Sequence, residues 1–359
     1  MGKALVTGGC GFIGSKLAAN LAENGYEVRV TDLSEADRSP LSGQNVEFIA
    51  ADMTKPESLE GVAEDVDIVY HTAALFDYST VVEEEVYMEV NVRGTENLLE
   101  AISGEGVERF VNWSTSGVYE PADTGGGDEA KNEDRRITEN HPKNPGSRYD
   151  RSKWKQEKLV HEHAEDEGFD AVTLRPAPVY GPGNRYGVAQ LVEAVAEGWL
   201  RIYPDTAEFR IPLVHVEDMV GAAIHLGEYG ESGEAYNVVD DQKYTAERVL
   251  RFIGRLTGTR MYPAPVPAGI YDRIPEFKPV VSALERALDT VGRSPPVGAD
   301  VLTYLRGNYW LSNQKLRATG YDLKHPDFRA GMQETVYWYV REGLIPGSVD
   351  SDGVKITLE

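Results

Sequence analysis

The stretch Leu5-Val6-Thr7-Gly8-Gly9-Cys10-Gly11-Phe12-Ile13-Gly14 decides the fold of this chain. Ala4 to Val6 is a short apolar run that predicts a buried strand. Ser15 to Ala22 predicts a helix, with Leu17, Ala18 and Leu21 on one side. Between them lie Gly8, Gly11 and Gly14. Strand, glycine turn and helix together are what a dinucleotide site requires. Gly8 permits the tight turn, Gly11 lets the backbone approach a pyrophosphate, and Gly14 lets the helix pack close to the strand. The helix N-terminus then faces the phosphate charge.

Working outward, strands and helices alternate. Strands are predicted from Tyr26 to Thr31, Val46 to Ala50 and Asp67 to Tyr70, the last followed by His71-Thr72-Ala73-Ala74. A long helical segment follows from Val82 to Ser103, then a strand from Arg109 to Trp113 that runs into Ser114-Thr115-Ser116. This alternation predicts an α/β fold with a doubly wound parallel sheet. Glu120 to Ser147 is polar and reads as a surface excursion, a mobile flap over the site. Ser147 with Asp150 three residues on predicts a helix start by a capping box, and Gly168 predicts its end. Ala171 to Leu174 is the next strand. After Arg175 proline becomes frequent. Residues 1–175 are therefore expected to form the nucleotide-binding domain. Residues 176–347 are expected to form mainly a smaller C-terminal α/β substrate domain, with some segments returning to the sheet, and 348–359 a frayed tail.

The 359 residues carry 59 acids against 36 bases, a net charge of -23. Phosphate backbones need a basic footprint, so no nucleic-acid partner is expected. No apolar run is long enough to span a membrane, and with a strand predicted at the start of the sequence no signal peptide is expected. The single cysteine, Cys10, allows no intrachain disulfide, as expected in a reducing cytoplasm. It belongs to the glycine motif, which argues against a catalytic thiol. The acids are scattered and the bases are 13 Lys and 23 Arg. That suits solubility in high salt and equally an ordinary acidic enzyme. No metal ligand set is expected.

Four groups carry the chemistry. Asp32, 18 residues after Gly14 at a strand end, is where a carboxylate reaches the adenosine ribose hydroxyls; it would repel a 2′-phosphate, which favours NAD over NADP. Asp52, at the next strand end, is placed for the adenine edge. Tyr149 and Lys153 lie four apart on one helix face. Ser114-Thr115-Ser116 ends an inner strand, so glycine turn, Thr115 and Tyr149 can share the crevice beyond the strand ends. Hydride transfer from a secondary alcohol needs a proton acceptor at the hydroxyl. A free phenol ionises at about 10, and a neighbouring ammonium and a positive nicotinamide favour phenolate. Lys153 would supply part of this and hold the ribose, while Thr115 would hydrogen-bond the substrate oxygen.

Thr7 to Gly14, His71 to Ala74, Asn91 to Thr95, Ser114 to Tyr119 and Tyr149 to Lys153 resemble the extended short-chain dehydrogenases/reductases, the NAD-dependent epimerase/dehydratase superfamily. So do Leu174 to Pro176, Val179 to Gly183 and Val214 to Asp218. The resemblance implies a Rossmann-type sheet, NAD as cofactor, and Tyr149 as acid/base with Lys153 and Thr115 as its partners. It implies that Phe12 and Ile13 cover the pyrophosphate, that Asp52 and Met53 hold adenine, and that Ala73 and Ala74 line the ribose path. Asn91 would support the site, and Pro176 and Val179 would lie near the nicotinamide. His215 falls in a segment that packs between the domains. A homodimer built from two long helices per subunit, here Val82 to Ser103 and Arg148 to Asp166, is also implied; Val86, Tyr87, Val90 and Leu98 are its apolar candidates.

Nucleotide-sugar epimerases of that group usually carry Asn where this chain has Pro178, and Arg where it has Ile211, with Arg210 one residue displaced. The stretches Arg293 to Pro296 and Tyr309 to Lys315 look more like the dihydroflavonol reductase and 3β-hydroxysteroid dehydrogenase branch. The expected activity is NAD-dependent hydride transfer between nicotinamide and a secondary alcohol or ketone. The alternative is a nucleotide-sugar epimerase or dehydratase with recycled NAD. A catalytically silent binding protein is disfavoured by the intact Thr115, Tyr149 and Lys153.

Overall fold

The structure is a computed structural model and describes residues 2–76, 82–120, 136–204, 210–264, 278–289 and 309–347. The first half runs β1 (Lys3–Thr7), α1 (Phe12–Glu23), β2 (Glu27–Asp32), β3 (Val46–Ala50), β4 (Ile68–His71), α2 (Glu84–Tyr87), α3 (Gly94–Ile102), β5 (Arg109–Trp113), α4 (Arg148–Glu167) and β6 (Asp170–Pro176). It continues with β7 (Val179–Tyr180), α5 (Val188–Ala196), β8 (Ile202–Pro204), β9 (Val214–His215), α6 (Val216–Tyr229), β10 (Ala235–Val238), α7 (Ala246–Leu256) and β11 (Tyr262–Ala264). Further helices cover Lys278–Asp289, Gln314–Ala318 and Phe328–Arg341.

Seven strands form one sheet in the order β10-β6-β5-β4-β1-β2-β3, every pair parallel. The chain winds one way from β1 to β3 and the other way from β4 onward. The direction switches between β1 and β4, which opens a crevice at their carboxyl ends. Side chains alternate across the sheet. Val6, Tyr70, Val111 and Val172 pack with Leu17 and Leu21 of α1 and Met219 and Leu226 of α6. Leu5, Val69, Phe110 and Ala171 pack with Leu98 and Leu99 of α3 and Val160 and Ala164 of α4. Each such large aliphatic side chain contributes about 1.5–3 kcal/mol by leaving water. A separate apolar cluster joins α5, α7 and Phe328–Arg341 through Val192, Ile253, Phe328 and Met332. Ala235–Val238 is the edge strand of the sheet, beside β6. Among the described residues no helix is long and apolar enough to cross a membrane.

Several expectations change. The helical segment from Val82 to Ser103 is interrupted by a π-helical stretch, Met88–Arg93. Of its apolar candidates for a subunit contact, Tyr87 and Leu98 are wholly buried within this chain, while Val86 is 45% exposed. The excursion after Glu120 is only partly a surface feature. Ile137 is buried and bridges Leu311, and its N–H donates to the Trp310 carbonyl at 2.7 Å. Residues 121–135, part of the expected flap from Glu120 to Ser147, and the tail 348–359 lie outside the described residues. The start of α4 follows the reading: Ser147 Oγ accepts the Asp150 N–H at 2.9 Å and the Asp150 carboxylate takes the Ser147 N–H. Gly168 ends the helix at φ +78°, a left-handed conformation that glycine adopts without strain.

Candidate active site

The glycine turn fits a dinucleotide for a steric reason. Gly8 has φ +64°, and a Cβ there would stand 2.7 Å from the Ala73 Cα. A Cβ on Gly14 would run into the Gly8 carbonyl. The cradle between β1 and the segment after β4 thus exists only because these positions are bare. Gly11 caps α1 without any side-chain hydrogen bond, and the first turn holds no acid. The N–H groups of Phe12 and Ile13 have no acceptor within the helix, so they suit an anionic pyrophosphate. Cys10 is half-buried in this turn. Burial and the nearby Asp32 push its thiol up to about 11, so it is not a thiolate near neutrality.

Asp32 lies beside the turn: its Oδ2 accepts the Cys10 N–H at 2.9 Å and its Oδ1 the Leu33 N–H at 2.8 Å. Asp52 turns into its own loop. Oδ1 accepts from the Thr54 N–H at 3.0 Å and the Thr54 hydroxyl at 2.7 Å, and the Lys55 ammonium sits 2.8 Å from Oδ2. Lys55 and then Thr54 hold this carboxyl below the usual range. The neighbouring Met53 is buried, and its carbonyl accepts from Asn97 at 2.8 Å.

A buried ladder orders the segment after β4. The Thr95 hydroxyl donates to the Asn91 carbonyl at 2.7 Å, so it accepts from His71 Nε2 at 2.8 Å. His71 Nδ1 then accepts from the Thr7 hydroxyl at 2.8 Å, and Thr7 Oγ1 takes the Ala73 N–H at 3.2 Å. Burial and then the Lys153 charge lower His71 to about 3, so it is a neutral spacer. Asn91 sits in the π-helical stretch. Its Oδ1 accepts the Leu75 N–H at 2.7 Å, and its Nδ2 donates to the Leu75 carbonyl at 3.1 Å and to Ser152 Oγ at 2.9 Å. The Ser152 hydroxyl donates to the Tyr149 carbonyl at 2.7 Å. Asn91 therefore ties the loop holding Ala73 and Ala74 to the helix that carries Tyr149. Ser152 is a supporting residue the sequence reading did not single out; only its place between Tyr149 and Lys153 hinted at it.

Thr115 follows β5 and caps a short 3-10 turn, its Oγ1 accepting the Gly117 N–H at 3.1 Å. Tyr149 is buried, and the edge of one ring meets the face of the other where it packs on Phe76, centroids 5.0 Å apart. Burial, with Asp150 and Tyr87 nearby, raises its phenol above the ordinary value. This is opposite in direction to the depression that an adjacent ammonium and a positive nicotinamide would bring. Lys153 is 1% exposed. Burial pulls its ammonium down to about 7, and Nζ donates to Gln156 Oε1 at 2.6 Å. Pro176 ends β6, and the Val179 carbonyl accepts from Asn184 at 2.5 Å.

His215 is buried away from this set, its ring 5.2 Å from that of Tyr180 and 3.9 Å from that of His325. Its segment packs between the sheet and the later helices. His215, Glu217 and His325 bring three potential ligand atoms within 4.8 Å. The Glu217 oxygen nearest both rings is already held by the Lys324 ammonium at 2.8 Å. Arg210 is also committed. It donates to the carbonyls of Gln242 at 2.6 Å and Tyr244 at 3.2 Å and stacks 4.2 Å over the Trp310 ring. A cavity lined by Tyr26, Asp67, Arg109 and Glu228 lies at the amino ends of the strands, opposite the crevice.

The chain is 30% identical over 253 residues to a 3-beta-hydroxysteroid dehydrogenase of Mycolicibacterium neoaurum; the match covers 67% of this chain and 66%, just under two thirds, of that protein. It is 28% identical over 344 residues to sterol demethylase protein B of Methylococcus capsulatus (strain ATCC 33009 / NCIMB 11132 / Bath), covering 95% of this chain and 99% of that one. Among solved structures, the UDP-glucose 4-epimerase of Thermus thermophilus in complex with NAD superposes with TM-score 0.69 at 28% identity, over 94% of this chain and 98% of that chain. The sequence model of the NAD dependent epimerase/dehydratase family matches residues 4–239. With the glycine cradle, the strand order and the Tyr149–Lys153 helix in place, the chain belongs to the NAD-dependent epimerase/dehydratase family.

Proposed function

We propose that this protein is an NAD-dependent dehydrogenase/reductase acting on a secondary alcohol or its ketone, with an apolar, alicyclic carrier for that group. The observation that carries the reading is the pairing of Tyr149 and Lys153 on the buried face of α4, with Lys153 almost fully enclosed. An ammonium is kept in such a place only when its charge has a use. NAD, when bound, supplies hydride acceptance or donation at a carbon. The chain's residues handle the oxygen and its proton. Tyr149 Oη takes the hydroxyl proton during oxidation and returns it during reduction. Lys153 holds the ribose and favours phenolate. Thr115 donates to the substrate oxygen as charge builds on it.

Two observations favour release of a product over epimerisation of a nucleotide sugar. Arg210 spends its guanidinium on two carbonyls and a Trp310 face, and Pro178 and Ile211 offer no polar side chain to a diphosphate. Phe76 packs edge-on against Tyr149, and Tyr186, 60% exposed, packs edge-on against Phe76 at 6.3 Å. This row of rings leads from the phenol to the surface and suits an apolar substrate. The steroid and sterol names of the two relatives point the same way. The test is a panel of alicyclic secondary alcohols, hydroxysteroids included, with purified protein and NAD. Stoichiometric accumulation of reduced cofactor is expected; conversion of a UDP-sugar with no net reduction would overturn the reading.

A further inference from the structure

The groove between α4 and the sheet is polar where an apolar seam would be ordinary. Lys153 Nζ donates to Gln156 Oε1 at 2.6 Å, Gln156 Nε2 to Asn112 Oδ1 at 2.8 Å, and Asn112 Nδ2 to Thr173 Oγ1 at 3.3 Å. Thr173 Oγ1 meets His161 Nε2 at 3.0 Å. The direction of the row is forced. An ammonium only donates, so Gln156 must turn its oxygen to it and its nitrogen to Asn112, and Asn112 must follow suit. Both ends of the row are on α4; its middle is on β5 and β6, where Asn112 and Thr173 are register partners. Lys153, Gln156, Asn112 and Thr173 are all buried. We propose that Gln156, braced by Asn112, is a positioning residue that fixes the Lys153 ammonium and sets the pH range over which the chain binds its cofactor; this rests on the cofactor role given to Lys153 above.

Other residues have different work. Among the described residues the charged and titratable groups that act on Lys153, or on which it acts, are Glu157 on its own helix and His71 on β4. Glu157 is engaged by Arg175 of β6, whose Nε donates to it at 3.2 Å. His71 is neutral near pH 7. Gln156 meets Nζ through its side-chain oxygen and takes one of the three N–H groups. That leaves two for the phenol and the ribose. A carbonyl oxygen on an ammonium favours the charged form, against the burial that lowers Lys153 to about 7.

The experiment is NADH binding by fluorescence, followed from the acid to the alkaline side of pH 7 for the full chain. Wild type loses affinity as pH rises and Lys153 is deprotonated. Gln156→Leu removes the acceptor at similar volume; its midpoint moves down by about one pH unit and affinity at neutral pH falls roughly fivefold. Gln156→Glu places a carboxylate beside the ammonium and moves the midpoint up. Asn112→Ser moves it down by less. If Gln156→Leu fails to fold, Gln156→Glu and Asn112→Ser carry the comparison. Opposite shifts support the proposal, since a role in packing alone does not depend on the sign of charge. Midpoints equal to wild type in the folded variants overturn it. Lys153→Met tests the footing separately: if it keeps the wild-type pH dependence, the role of Lys153 falls and the proposal with it. If it abolishes that dependence while the Gln156 variants do not move, only the role of Gln156 is lost.

Discussion

Asp32 accepts the Cys10 N–H at 2.9 Å, so the carboxylate that would meet the adenosine ribose is also fastened to the glycine turn. Its charge and its acceptor role can be separated. Asp32→Asn keeps an oxygen for Cys10 and loses the charge. NAD affinity should fall about tenfold or more, since hydrogen bonds to charged groups contribute roughly 1.5–3 kcal/mol. NADP affinity should hold or rise. Calorimetric titration of both cofactors checks this; an unchanged ratio of affinities would remove Asp32 from cofactor choice.

Tyr149→Phe retains the ring that packs on Phe76 and deletes the hydroxyl. Turnover on an identified alcohol should drop roughly 10²–10⁴-fold, the usual worth of a positioned acid/base, with NADH affinity nearly unchanged. Steady-state rates together with NADH fluorescence decide it. Near-normal turnover would move the proton to another group.

Gly8→Ala combines a left-handed backbone, φ +64°, with a Cβ aimed at the Ala73 backbone. The conformation alone costs about 1–2 kcal/mol. The variant should melt at a lower temperature and bind NADH at least tenfold more weakly. Gly168→Ala is the control: its φ is +78° and a Cβ there meets nothing within 4 Å. It should lose stability but not affinity.

Arg175 is buried with Glu157 and also donates to Tyr119 Oη at 2.8 Å and the Glu139 carbonyl at 2.9 Å. Removing one partner strands the other. Glu157→Ala should destabilise the chain by about 3–5 kcal/mol, whereas replacing the pair with apolar residues, Glu157→Leu with Arg175→Met, should cost less. Urea unfolding measures both.

Asp240 is buried, its Oδ2 accepting from the Tyr244 hydroxyl at 2.6 Å, and burial pushes its carboxyl up to about 8. A folded-state value above the unfolded one means that the folded protein binds the extra proton. Stability from this group is therefore full in acid, falls progressively with rising pH, and is lost once pH passes about 8. Asp240→Asn should stabilise the protein at alkaline pH and little in acid, as thermal melts on either side of that value will show. Equal effects at both would sink the argument.

The sheet could be read because its signals are local. Ala4 to Val6 and Arg109 to Trp113 announce buried strands by composition, and Ser147 with Asp150 announces a helix start by one reciprocal pair of hydrogen bonds. The site was legible where a residue type has few other uses, as at Gly8, Gly14 and the Tyr149–Lys153 spacing. It was not legible where a side chain's meaning depends on its partner across the sheet. Gln156 looks like any polar helix residue until Asn112 of β5 faces it. Ile137 lies in a polar stretch and reveals itself only against Leu311. The phenol of Tyr149 is governed by burial, which no spacing encodes.

The polar seating of α4 gives the helix one discrete resting place. Apolar faces tolerate a small slide, since one methyl contact replaces another. Here a slide of one residue would rotate Lys153, Gln156 and Glu157 by about 100°. Asn112 would then lose the Gln156 amide and Arg175 its buried counter-charge. Tyr149 is carried by the same helix, so its distance from a bound substrate is inherited from this lock. The geometry proposed for proton transfer is therefore set in one step, when α4 docks.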